Sequence, residues 1–128
     1  MPKRSTARLC LAGAFVTALG AVYVHAQFGN APAKLNTVKI APDLFVIHND
    51  YVPGNTTALV TDEGVVLVDD KFEIDFPNIV AEVKKITNQP IKYVINTHHH
   101  SDHSGSNAKM QAMNVQVIAS EQARENMV

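Results

Sequence analysis

The 128-residue sequence has a single cysteine, no tryptophan, and only three Tyr and five Phe. One cysteine excludes an internal disulfide framework and a thiolate-rich metal site. With few aromatics, any core must be built from Val, Ile, Leu and Ala. No block of like charge runs along the chain, and the formal net charge is −1. Without a basic stripe to neutralise phosphates, a nucleic-acid surface is excluded as a main role. Apolar residues at 46% and charged residues at 18% fit a folded chain of one small domain.

The longest uncharged apolar run, Leu9 to Val24, follows a basic start of Lys3, Arg4 and Arg8 and leads into Val24-His25-Ala26. Basic head, apolar middle and small-residue exit form the pattern of a secretory signal peptide over residues 1–26, cleaved after Ala26. The alternative is an uncleaved anchor, for which 16 residues fall short of the roughly 20 needed to span a bilayer. Contact with a membrane is expected only through this segment before cleavage, and the mature chain is expected in the periplasm or outside the cell. Cys10 lies inside the segment as a passive apolar residue. Without Lys3, Arg4 and Arg8, eight basic residues face twelve acidic ones, a net charge of about −4 with histidine neutral.

Residues 27–36, rich in Ala, Gly, Asn and Pro, read as a flexible leader, and residues 37–128 as the folded part. Thr37–Ile40 and Leu44–His48 are β-type runs separated by the turn Ala41-Pro42-Asp43. Thr56–Thr61 and Val65–Asp69 flank Asp62-Glu63-Gly64, a tight connection in which Gly supplies the positive φ. The period then changes. Ile79, Val83 and Ile86 form one apolar stripe on a helix over 77–88, with Pro77 in its first turn and Asp75 at the cap position. Ile91–Asn96 is a strand, Ser104–Ala112 a helix, Val115–Ala119 a strand, and Ser120 caps a last helix. Helix and strand alternate after Asp70, so the later strands should add side by side with helices on one face. The chain stops at Asn126-Met127-Val128 inside a helical pattern, which reads as a fragment or truncated product of a longer domain.

Four of the six histidines fall in Thr97-His98-His99-His100-Ser101-Asp102-His103. In an extended loop, residues two apart point the same way, so His98 and His100 can converge while His99 points elsewhere. Asp102 continues the alternation, and His103 should swing back as the chain turns into a helix. Three imidazoles and a carboxylate without thiolate suit zinc, iron or manganese. A solvated patch or tag would not follow a Val-Ile strand and precede Ser104-Gly105. His48, in an early strand, reads as an ordinary strand residue.

The segment from Thr97 to Gly105 resembles the His-x-His-x-Asp-His motif of the metallo-β-lactamase superfamily, and Gly64 to Asp70 is similar to that family's earlier strand ending in Asp. The resemblance covers about residues 37–120. It implies an α/β fold, an αββα metallo-β-lactamase-type sandwich of which only the N-terminal half is present. It also implies that His98 and His100 hold a first metal and that Asp102 and His103 hold a second. Asp102 is then also the catalytic residue that orients the nucleophilic water, and Asp69 supports the metal loop from behind. The implied cofactor is Zn²⁺, two ions in the complete domain, with iron or manganese as alternatives. The implied partner is a small-molecule substrate with an ester, lactone, lactam or related bond; the motif alone does not select β-lactams. The family's third first-metal histidine, bridging acid and final histidine have no counterpart here, and Ser106 replaces its frequent second Gly. No Gly-x-Ser-x-Gly nucleophile elbow is present. The competing readings are a truncated metal-binding fragment inactive by itself and, less economically, a β-rich binding module. Oligomeric state is not encoded legibly.

Overall fold

The computed structural model describes residues 31–127; the expected signal segment and Cys10 lie outside the described residues. Six strands form one sheet in sequence order: β1 (Asn36–Ala41), β2 (Leu44–His48), β3 (Thr56–Thr61), β4 (Gly64–Val68), β5 (Ile91–Asn96) and β6 (Gln116–Ala119). The first four pair antiparallel as a meander. β5 and β6 then add in parallel, because each connection carries a helix that returns the chain to the same end. These helices are α1 (Phe76–Ile86), preceded by a 3-10 turn (Glu73–Asp75), and the short α2 (Ser101–Ser104) and α3 (Asn107–Ala112); α4 (Glu121–Glu125) follows β6.

The core lies on one face of the sheet. Ile47, Ala58, Val65, Leu67 and Val94 point into it, and Ile79 and Val83 of α1 and Met110 of α3 cover them, all 2% exposed or less. The expected stripe on α1 thus does the covering, with Ile86 at its margin. Ser120 caps α4 as expected, its Oγ accepting from the Ala123 N–H at 3.2 Å.

Three expectations need correction. Asp75 stands at the N-cap of α1 but makes no side-chain cap bond; its carboxylate instead accepts the Ala33 N–H at 2.6 Å. That bond, with burial of Ala33 and Leu35, ties down part of the stretch expected as a flexible leader, since two apolar side chains repay the ordering. The helix expected over 104–112 starts earlier and is broken: Gly105 and Ser106 separate α2 from α3, the Ser106 N–H going to the Asp70 carboxylate while the Gly105 N–H is shared between the Ser101 and Lys71 carbonyls.

The other face is also apolar. Val38, Val46, Thr57, Val68, Ile95 and Ile118 are successive partners in one row across all six strands. Val38, Ile95 and Ile118 are exposed. Among the described residues no helix is long and apolar enough to cross a membrane.

Candidate metal centre

The site sits beyond the carboxyl ends of the parallel strands β4 and β5, where an α/β sheet opens a crevice. Two loops meet there. The first, Asp69 to Phe72, leaves β4 with Asp69 at φ +61° and Lys71 at φ +56°. Left-handed backbone at two non-glycine residues is costly, of order 1 kcal/mol or more each, and persists only when surrounding bonds impose it. Those bonds are many. The Asp69 N–H donates to the Ile95 carbonyl, the Asp70 N–H to the His103 carbonyl, and the Gly105 N–H to the Lys71 carbonyl, each at 2.9 Å.

The second loop carries the histidines. Asp69 organises it: Oδ1 accepts the Thr97 N–H at 2.7 Å, and Oδ2 accepts the Thr97 hydroxyl at 2.8 Å. Oδ2 also lies 2.8 Å from Nδ1 of His103. A carboxylate at Nδ1 selects the tautomer with the proton there, leaving the Nε2 lone pair for an ion. Nε2 of His103 faces Oδ2 of Asp102 at 3.3 Å. Asn96 adds a further tie, donating to the His103 carbonyl at 3.0 Å.

The structure brings three of the expected imidazoles together. The His98 ring centroid lies 4.0 Å from that of His103 and 4.9 Å from that of His100. Asp102 joins through His103. The strict alternation expected of residues 98–100 is blurred because 97–99 is a bend rather than a strand, and the His99 ring comes within 4.7 Å of His100 while staying 6.4 Å from His98. His48 stands apart beside Asp50 at 3.5 Å.

Whether these residues suit a metal ion can be judged from their chemistry. Neutral imidazoles and a carboxylate are ligands for zinc at about 2.0–2.1 Å, and the Asp69–His103 pair is the usual outer support of such a ligand. Among the described residues, however, no three His, Asp or Glu side chains already stand where they could hold an ion. A shallow hollow of about 190 Å³ beside them is lined by His98 and His99 with Ser120, Gln122 and Ala123, and leaves His100, Asp102 and His103 outside it.

Two residues that sequence reasoning did not single out complete the base of the site. Asp70 is fully buried, with Oδ1 accepting the Ser106 N–H at 3.1 Å and Oδ2 without a partner. Burial pushes its carboxyl up to about 7 despite the Ser106 bond, with Asp69 adding to the rise. Lys71, also fully buried, donates to the carbonyls of Pro53 and Gly54. Three charged residues in direct succession after an apolar strand were the available signal. Ser106, standing where the family pattern often has Gly, is buried and uses its hydroxyl on the Phe72 carbonyl at 2.9 Å.

The sequence profile of the metallo-beta-lactamase superfamily matches residues 49–123. Among solved structures, a metallo-beta-lactamase of Cronobacter sakazakii, a HARLDQ motif mutant, is 26% identical with a TM-score of 0.65, over 72% of this chain and 37% of that one. A metallo-beta-lactamase from Pontibacter korlensis is 26% identical with a TM-score of 0.62, over 70% and 45%. The metallo-beta-lactamase FIM-1 of Pseudomonas aeruginosa, in its mono-zinc form, is 18% identical with a TM-score of 0.66, over 77% and 47%; at that identity it speaks for the fold alone. The chain thus spans less than half the length of each of these relatives.

Proposed function

The chain belongs to the metallo-beta-lactamase superfamily, and from that premise we propose that it is the metal-binding N-terminal part of a hydrolase in which His98, His100, Asp102 and His103 are ligands. The observation that carries the reading is the His103 ring, held by Asp69 at Nδ1, with Nε2 facing Asp102 and the His98 ring centroid 4.0 Å from its own. A bound divalent ion, zinc by the donor chemistry, would supply a water acidified to near neutral pH and a positive charge for the substrate's carbonyl or phosphoryl oxygen. The chain's own contribution is positional. Asp69 keeps the His103 proton on Nδ1 and Thr97 pins Asp69; Asp102 would accept a hydrogen bond from the attacking water and orient it. Two ions would be held only in the complete domain, with iron or manganese as alternatives. The proposed substrate is a small molecule with an ester, lactone, lactam or related bond. An exported location is proposed from the basic head and apolar run before Ala26.

A second reading is a non-catalytic fragment that binds one metal weakly, since among the described residues no three such side chains already stand as a metal group. Both readings require metal binding, and turnover separates them. The full chain is expected to take up about one zinc per molecule in competition with a chromophoric chelator, and His98→Ala to weaken uptake at least tenfold. Unchanged uptake in His98→Ala would remove the proposed ligand set. Hydrolysis by the full chain of a chromogenic lactone or β-lactam, abolished by chelator, would favour the enzyme; uptake without turnover would favour the fragment.

A further inference from the structure

Among the described residues Lys71 is the largest of the fully buried side chains. An ammonium without water is expensive unless hydrogen-bonded and paired. Burial lowers its pKa, while the carboxylates of Asp75 and Asp102 oppose that drift. Its Nζ donates to the Pro53 carbonyl at 2.8 Å and the Gly54 carbonyl at 2.5 Å. At its other end, the Lys71 carbonyl accepts the Gly105 N–H at 2.9 Å, immediately after the histidine motif. One residue therefore grips both the 53–54 turn and the end of the metal loop.

What that turn touches gives the grip a consequence. Gly54 has φ +76°, and a Cβ there would collide with the Asp102 carbonyl. Glycine is thus required twice, for the left-handed backbone and for the close approach to the Asp102 peptide. The turn seats directly on the residue whose carboxylate faces His103. A buried apolar side chain could fill the same space, but it would leave two inward-facing carbonyls without their donor.

We propose that Lys71 is a positioning residue for the metal loop: its ammonium clamps the Pro53–Gly54 turn onto the Asp102 peptide and so sets where the Asp102 carboxylate stands. This rests on the reading of Asp102 as a metal ligand. The clamp itself is a geometric matter that can be measured without metal.

The test uses the full chain, its Lys71→Met, Lys71→Arg and Gly54→Ala variants, amide hydrogen exchange on the metal-free forms, and titration with Co²⁺ followed by its visible absorption. Lys71→Met is expected to speed exchange at His103, Ser104 and Gly105 about tenfold or more, while the sheet amides of Val60 and Val65 keep their protection. Cobalt affinity should fall about tenfold, the scale on which outer supports of ligands act, with a changed visible band. Gly54→Ala should reproduce both effects from the opposite side of the contact, and Lys71→Arg, which keeps donors at the position, should lie between. If Lys71→Met does not fold, Gly54→Ala decides alone. If the unaltered chain binds no cobalt, the metal reading falls while exchange at 103–105 still decides the clamp. Exchange within twofold of the unaltered chain in both Lys71→Met and Gly54→Ala, or a speeding spread evenly over the sheet, overturns the proposal.

Discussion

Asp70 is a carboxyl without water, with a carboxylate neighbour and one oxygen unpartnered. Its folded-state pKa of about 7 lies above the ordinary 3.8, so between these values the folded chain keeps a proton that the unfolded chain has released. Stability from this group is fully present below about pH 4, falls as pH rises towards 7, and is flat beyond. Glu82 acts in the opposite sense. Its burial is outweighed by hydrogen bonds from Lys85 and Thr37, its pKa is lowered, and its contribution is lost in acid. The two are separated by Asp70→Asn, which keeps an acceptor for Ser106 and removes the titration. In metal-free thermal melts, Asp70→Asn is expected to gain on the unaltered chain between pH 5 and pH 8 by at most on the order of 3 kcal/mol. An identical difference at both pH values would contradict this. His98, His100, Asp102 and His103 were legible because their spacing is their chemistry. Asp70 and Lys71 were not, since a charged residue after a strand is usually solvated, and only the backbone reversal at φ +61° and +56° turns this run inward.

At the scale of elements, β2, β3 and β5 occupy the residues their patterns indicate, because turn residues bound each run on both sides. The break between α2 and α3 could not be read locally. Residues 104–112 are compatible with one helix, and only the partners Lys71 and Asp70, more than thirty positions earlier, divide it. The cap expected at Asp75 failed for the same kind of reason: a distant N–H at Ala33 took the carboxylate. α1 is an element on which the core depends, since it joins the buried cluster through Ile79 and Val83, which are 0% and 2% exposed. Ile79→Ala is expected to cost about 2–5 kcal/mol in denaturant unfolding. A loss below about 1 kcal/mol would mean that α1 does not seal that face.

At the scale of the whole molecule, the sheet is apolar on both sides while the described helices core only one. β4 already carries this signature as Gly64-Val65-Val66-Leu67-Val68, a continuous apolar run rather than an alternation, the pattern of a strand meant to be covered on both faces. The row from Val38 to Ile118 is the surface on which the second layer of an αββα sandwich would lie, and this chain spans 37–47% of its solved relatives. The strand-end loops nevertheless gather His98, His100, Asp102 and His103 without that layer. The proposed metal binding should therefore not need that layer. X-ray absorption at the zinc edge of the loaded full chain tests this most directly. A nitrogen and oxygen shell at about 2.0–2.1 Å with the outer scattering of two or three imidazole rings is the expected spectrum. A shell of oxygen alone, with no imidazole scattering, would contradict the account.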